Sequence, residues 1–344
     1  MIYEHFLKPL LFKKDAEYAH DWAIKLASKT HLSPLLQELA SSIYGSQNTD
    51  LGQDLFGCYF PNPVGLAAGF DKNGTTPLAM QALGFGFVEV GSITAKASKG
   101  NPKPRAFRIP DDHSLINRMG LNNEGADIIT DRISEYRSKL NIPLGINIAK
   151  TNDASIHGNA ALQDYLYSYE KAQPLADYIT INISCPNTGE GKTFEDPQAL
   201  KDLLTALAPQ KEGCKPSLVK FTPDIDKPAL EKLIRICEDF DIAGYIATNT
   251  SSDRSGLKTS SSALQQIGNG GLSGRAMREK STQVIRWIYE ITGGKKPIVG
   301  VGGIDSAESA IEKLEAGASL LQIYTGLVYE GPGLVLKIKR SVGG

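Results

Sequence analysis

Eight short apolar runs, each closing in glycine or a polar residue, recur from residue 64 onward. They read VGLAAG from Val64, FVEVGS from Phe87, LGINIA from Leu144, YITINIS from Tyr178, SLVKFT from Ser217, GYIATNT from Gly244, PIVGVGG from Pro297 and SLLQIYTG from Ser319. Segments with helical periodicity lie between most of them, such as Pro197 to Ala208, Pro228 to Asp239, Ser281 to Ile291 and Ser306 to Ala316. Strands that are apolar on both faces and alternate with helices require a parallel sheet covered by helices. Eight such units with no obvious edge strand fit an α/β fold of the closed (β/α)8 TIM barrel type better than an open doubly wound sheet. Two connections, Thr94 to Pro143 and Thr250 to Lys296, exceed what barrel closure needs, and such insertions usually build an active-site mouth or a lid.

Composition narrows the function classes. The chain has 344 residues, 41% of them apolar, which is enough for one large barrel with an appendage. A formal charge of -1 with no long block of one sign gives no field that would draw nucleic acid. Cys58, Cys185, Cys214 and Cys237 lie far apart, with no CxxC pair and no histidine at zinc spacing. That pattern suits free thiols in a reducing compartment and no metal site. No apolar run approaches the ~20 residues that span a bilayer, and the N-terminus lacks a signal-peptide core, so a cytoplasmic location is expected.

Residues 1–45 differ in character from the barrel segment, residues 46–344. In IYEHFLKPLLF apolar residues fall at 2, 3, 6, 7, 10 and 11. A second segment opens at Asp15 as N-cap and carries Ala19, Trp22, Ala23 and Leu26 along one face. A third begins Ser33-Pro34, a cap followed by proline at the first helical position, and stops at Gly45. Together they form a small helical appendage. Its apolar faces either pack on the barrel or stay open to lipid or a lipid-soluble ligand, with Lys8, Lys13 and Lys14 suited to anionic headgroups.

The mouth of a barrel lies at the C-terminal ends of its strands. Here those ends are polar: Ala68-Gly69-Phe70-Asp71-Lys72, Gly91-Ser92, Asn147, NISCPN from Asn182, Lys220 with Thr222, Thr248-Asn249-Thr250, Gly302-Gly303 and Tyr324-Thr325-Gly326. Glycine turns after the last two strands suit a phosphate, because backbone N–H groups can approach it and a helix N-terminus favours an anion. Lys72 and Lys220 near strand ends need anionic partners, either a neighbouring acid such as Asp71 or Asp224, or a bound ligand. Asn117, Asn147, Asn182, Asn187 and Asn249 could together match a flat ring bearing alternating C=O and N–H groups, such as a pyrimidine. Cys185, in a proline-containing loop between two asparagines, is placed to take a proton if cations stabilise its thiolate. Alternation along the strand turns Ser184 to the side opposite Cys185.

The segments NPVGLAAGFDKNG, GFGFVEVGSIT, GNPKPRAFR, INRMGLNN, GINIAK, NISCPN, VKFTPD, IATNTS, GGLSGR, GVGGIDS and QIYTG run in one order across residues 61–326 and resemble those of the dihydroorotate dehydrogenases. The N-terminal helices and INRMGLNN resemble the membrane-associated, quinone-reducing class 2 branch. The resemblance implies an FMN-containing barrel that oxidises dihydroorotate to orotate in pyrimidine synthesis. A base would remove the C5 proton, a hydride would leave C6 for flavin N5, and ubiquinone or menaquinone would reoxidise the flavin. It further implies peripheral attachment to the cytoplasmic face of the cell membrane.

Carried over by position, the flavin would meet Ala68, Gly69, Phe70, Asp71, Lys72, Ser92, Asn147, Asn182, Lys220, Thr248, Gly274, Gly303, Tyr324 and Thr325. The substrate would meet Lys72, Asn117, Arg118, Met119, Gly120, Leu121, Asn182, Asn187, Asn249 and Thr250. Class 2 members use serine as the base; Cys185 takes that position here, as in class 1, and TGEGK replaces the usual TPGL continuation. A soluble class 1-type enzyme using fumarate or NAD is the alternative reading. Cys185→Ala is expected to retain FMN and lose about 10²- to 10⁴-fold in turnover, measured as anaerobic flavin reduction by dihydroorotate, and parental turnover would remove Cys185 from the mechanism.

Overall fold

Each of the eight apolar runs forms a strand, and the strands close on themselves in chain order: β1 (Val64–Leu66), β2 (Phe87–Ile93), β3 (Leu144–Ile148), β4 (Tyr178–Asn182), β5 (Ser217–Phe221), β6 (Gly244–Ala247), β7 (Ile298–Val301) and β8 (Leu320–Ile323). All neighbouring pairs are parallel, and β8 closes onto β1 through Leu321 opposite Val64 and Ile323 opposite Leu66. The structure, a computed structural model, describes residues 3–45, 51–184 and 194–343. Helices such as Pro197–Leu207, Lys227–Glu238, Arg278–Thr292 and Ala307–Glu315 surround the barrel. Every residue of β3, β4 and β5 is buried, as expected for strands covered on both faces.

The period of two along each strand stacks the interior in layers. The lowest layer is apolar, with Phe87, Tyr178, Leu218, Ile246, Val299 and Leu320 in one cluster with Phe60. Space for its rings comes from glycine: a Cβ on Gly65 or Gly145 would stand 2.3 Å from the ring of Phe87 or Tyr178 respectively. Phe60 belongs to an antiparallel hairpin, Gln53–Leu55 with Cys58–Phe60, that the sequence reading did not contain. Its two-residue turn places Phe56 at φ 55° and Gly57 at φ 70°, the left-handed pair that a tight hairpin requires. The hairpin plugs the N-terminal end of the barrel, so the chemistry is confined to the other end.

The two long connections meet over that other end. Ala106–Ile109 and Ser114–Asn117 from the first pair with Gly271–Gly274 from the second in a three-stranded antiparallel sheet, with Gly271 opposite Asn117 and Gly274 opposite Ser114. Strands of four residues carry too little alternation to stand out in the sequence.

The N-terminal helices are α1 (Lys8–Phe12, preceded by a π-helical turn at Tyr3–Leu7), α2 (Ala16–His31) and α3 (Pro34–Tyr44). Both expected caps are present: Asp15 accepts from the Tyr18 N–H at 3.0 Å and Ser33 from the Leu36 N–H at 3.4 Å. A buried ion pair anchors α2, with Arg105 Nε and Nη2 donating to both oxygens of Glu17 at 2.8–3.1 Å. At the other end of α2, His31 Nδ1 accepts from the Leu78 N–H at 3.2 Å. In contrast, α3 buries no residue; Leu35 is 75% exposed and Leu39 57%. Both readings of the appendage hold in part: Tyr3 donates to the Val328 carbonyl at 2.5 Å, Phe12 meets Tyr329 edge-on at 5.4 Å and α3 lies against the helix Pro77–Ala82, while the outer apolar side chains of α3 stay exposed. No helix among the described residues is long and apolar enough to cross a membrane.

Removing one partner of a buried ion pair leaves an uncompensated charge and typically costs about 3–5 kcal/mol. Glu17→Ala is expected to loosen α2 while sparing the barrel, read as faster amide hydrogen exchange in residues 16–31 with unchanged protection in β3 to β5.

Candidate active site

Above the aromatic floor the barrel interior becomes polar. Glu89 on β2 receives Asn147 Nδ2 at 2.9 Å, Gln322 Nε2 at 2.8 Å and the Tyr178 hydroxyl at 3.2 Å. From Asn147 the chain of hydrogen bonds climbs to the mouth. The Ser92 hydroxyl donates to Asn147 Oδ1 at 2.5 Å, and Asn182 Nδ2 donates to Ser92 Oγ at 3.2 Å. Asn182 Oδ1 accepts from the Ser184 hydroxyl at 3.2 Å and from Asn249 Nδ2 at 3.4 Å, and Asn249 Oδ1 accepts from the Thr250 N–H at 2.9 Å. Side chains from four strand ends are thereby joined into one belt of carboxamides and hydroxyls.

Neither lysine uses the acid next to it. The Asp71 carboxylate is filled by the N–H groups of Asn73, Thr75 and Thr76 and by both threonine hydroxyls, at 2.7–3.3 Å. Asp224 is filled by Ser251, Ser252 and Lys280. Lys72 Nζ donates to the Gly69 carbonyl at 2.7 Å. Burial pushes its pKa down to about 8, against the opposing charges of Asp21 and Glu17. Lys220 is buried and its pKa is lowered by that burial, with Glu89 as the opposing charge, and it makes no hydrogen bond or ion pair among the described residues. Two cations thus face the mouth with no carboxylate in contact among the described residues, an arrangement suited to an anionic ligand.

The turns after β7 and β8 are tight. Gly302 and Gly303 have φ of 111° and 75°, and a Cβ on Gly303 would lie 2.4 Å from Arg278 Cα, so only glycine fits between this turn and the following helix. The Thr325 hydroxyl meets Ser273 Oγ at 2.9 Å, tying the β8 turn to the three-stranded sheet. Glycine-bounded backbone, two cations and a carboxamide belt form a donor set that fits a phosphorylated, electron-poor ring such as FMN.

These groups line a cavity of about 1260 Å³ that also reaches between α2 and α3, where Trp22, Ala23, Leu26, Leu39 and Ile43 form its wall. Of the residues expected at the flavin, it brings together Ala68, Gly69, Phe70, Lys72, Ser92, Asn182, Lys220, Thr248, Gly274, Gly303, Tyr324 and Thr325. Of those expected at the substrate, it holds Asn117, Arg118, Met119, Gly120, Leu121, Asn249 and Thr250. Asp71 and Asn147 do not line it. Asp71 braces the loop that carries Lys72, and Asn147 stands behind Ser92. Cys185 and Asn187 lie outside the described residues.

Three features escape the sequence reading. Asn182 and Ser184 stand two positions apart and share a face, which puts the Ser184 hydroxyl in the cavity wall with Asn182, bonded to Asn249 Nδ2 at 2.8 Å. His20 joins the wall from α2, its ring 5.0 Å from Phe70 edge-on and 6.2 Å from Tyr324 in a stack. Burial, reinforced by the Lys72 charge, pushes its pKa down to about 3, so the imidazole is neutral at physiological pH. Arg105 holds the edge of the site through Glu17 and through the carbonyls of Lys99, Asn101 and the cavity-lining Met119. The position of His20 one helical turn from Ala16 gave a face but no partner; only docking of α2 supplies one.

Comparison with known proteins agrees with this geometry. Residues 50–343 match the sequence profile of the family described as dihydroorotate dehydrogenase. A Natronomonas pharaonis protein named dihydroorotate dehydrogenase (quinone) is 44% identical over 336 residues, covering 98% of this chain and 93% of its own length. A Christiangramia forsetii protein of the same name is 42% identical over 344 residues, with 99% and 98% covered. The crystal structure of DHODH from Eimeria tenella in complex with ferulenol superposes with a TM-score of 0.85 at 32% identity, covering 95% of this chain and 90% of that one. The ligand-free form gives 0.84 at 33% identity, with 95% and 94% covered.

The lowered pKa of Lys72 sets a pH dependence with a definite sign. The amine is charged below about 8 and loses its charge as pH rises through that value, so it then ceases to attract an anion. Affinity for orotate, titrated at constant ionic strength, is expected to weaken severalfold between pH 7 and pH 9, and Lys72→Met to bind weakly with little pH dependence over that range.

Proposed function

The chain belongs to the dihydroorotate dehydrogenase family, and from that premise we propose that it oxidises dihydroorotate to orotate, with FMN held in the barrel mouth and a membrane quinone as terminal acceptor. The observation that carries the proposal is the single cavity whose polar end holds Lys72, Asn182, Lys220 and Asn249 and whose apolar end opens between α2 and α3. Fumarate or NAD as acceptor draws no support from that apolar arm, nor from relatives whose names specify a quinone.

In this reading the turns at Gly303 and Thr325 take the cofactor phosphate through backbone N–H groups. Lys220 and Lys72 face the anionic portions of cofactor and substrate. FMN, when bound, supplies the acceptor for the hydride that leaves C6 of the substrate. Asn182 spends one N–H on Ser92 and is fixed by that bond, so its second N–H is held ready for a ring oxygen, while Asn249 uses its N–H groups on Asn182 and Ser184 and holds that arrangement in place. Cys185 takes the C5 proton as general base, and Lys72 and Arg118 are the cations assigned to the substrate side. Phe70 and Tyr324, 5.4 Å apart and edge-on, divide the polar end from the apolar arm, and His20 stands beside them as a neutral group.

Residues 1–45 are proposed as the membrane- and quinone-associated segment, and 46–344 as the catalytic barrel. Exposed Phe6, Leu10, Leu32, Leu35, Leu39 and Ile43 give this segment an apolar surface suited to peripheral contact with the cytoplasmic face of the cell membrane. Anaerobic addition of dihydroorotate to the purified yellow protein should bleach the flavin bands, and quinone added last should restore them. A chain lacking residues 1–45 should still bleach but fail to recolour with quinone. Failure of the full chain to bleach would refute the activity, and equal recolouring of both chains would refute the role of the appendage.

A further inference from the structure

Behind the Gly302–Gly303 turn lies a buried cation that no step above uses. Lys313, on the helix Ala307–Glu315, has no exposed surface. Its side chain passes beneath Gly300 of β7, where Lys313 Cβ lies 3.4 Å from the position a glycine Cβ would take. All three N–H groups of the ammonium are used on uncharged acceptors: the Arg278 carbonyl at 2.7 Å, Ser281 Oγ at 2.6 Å and Thr282 Oγ1 at 2.5 Å. Because Ser281 Oγ receives that bond, its single proton is free to be donated, and the Gly302 carbonyl lies 2.9 Å away, with the Met277 carbonyl at 2.8 Å as a competitor.

The charge itself is only partly matched. Glu312 accepts from Arg278 Nε at 2.6 Å and from Thr282 Oγ1 at 2.9 Å, and Arg275 pairs with Asp305 at 2.6 Å. Arg275, Arg278 and Lys313 therefore stand against Asp305 and Glu312 around one turn. Burial pushes the Lys313 pKa down to about 7, with Glu312 opposing, so the fold holds this cation at a cost that an anion above the turn would offset.

We infer that Lys313 is a positioning residue for the cofactor phosphate: it braces the Gly302–Gly303 turn through Ser281 and, as the ammonium, sets a positive charge beneath it. The inference rests on the reading of that turn as the phosphate site. It predicts selectivity for the phosphate rather than for the flavin ring. The full chain is loaded with FMN or with riboflavin, which lacks the phosphate, and release of each on dilution is followed by recovery of free flavin fluorescence. The parent should hold FMN more tightly than riboflavin. Lys313→Met should speed FMN release about tenfold, as expected for loss of one partly screened charge, and leave riboflavin release within about twofold.

Equal acceleration of both flavins, or of neither, would overturn the inference. A parent that does not distinguish the two flavins would instead overturn the phosphate reading of the turn. Should Lys313→Met not fold, Lys313→Gln, which keeps a hydrogen-bond donor and removes the charge, is put through the same comparison with the same expected and refuting outcomes.

Discussion

A carboxylate that receives three donors deep in a closed barrel has a long reach. Because Glu89 can only accept from Asn147, the Asn147 amide must present its oxygen to Ser92, and Ser92 must then donate. That leaves Ser92 Oγ to accept from Asn182 Nδ2, and turns Asn182 Oδ1 toward Ser184 and Asn249. The direction of every hydrogen bond in the belt follows from one residue on the second strand. The mouth consequently meets a ligand with the second N–H of Asn182 and the charge of two lysines, a surface matched to carbonyl and carboxylate oxygens.

The same barrel separates two solvents. Its lower end is sealed by Phe60 against Phe87, with ring centroids 5.3 Å apart, and its upper end is roofed by strands from two insertions. Access then runs beside α2, whose position is set by the Glu17–Arg105 pair, while α3 contributes apolar side chains and lies against the helix Pro77–Ala82 with none of its residues fully buried. One helix is held by charge and the next only by its neighbours and by whatever its apolar face meets. A hydrogen-bonded polar mouth and an apolar arm are thereby combined in one cavity.

Much of this was legible before any coordinates. Parallel strands buried on both faces leave an unbroken apolar signal, so all eight appear as runs in the sequence, and the caps at Asp15 and Ser33 are local patterns with a local cause. The hairpin at residues 53–60 and the sheet formed by Ala106–Ile109, Ser114–Asn117 and Gly271–Gly274 were not legible. Their strands are three or four residues long, and their pairing depends on segments up to about 160 positions apart. Asp71 looked like a partner for Lys72 because the two are adjacent; the chain turns back on itself and gives the carboxylate to Thr75 and Thr76 instead.

What the amino-acid order determined by itself is the class of fold, the end of the barrel where polar residues collect, and the residue types available there, because periodicity and strand ends are properties of consecutive positions. Tertiary structure alone decided which of those residues face the cavity, that both lysines are left without a carboxylate in contact among the described residues, that Ser184 bonds Asn249, and that His20 and Lys313 stand behind or beside the site. Those outcomes depend on contacts between residues distant in the chain and on burial, and neither is a property of any short stretch of sequence.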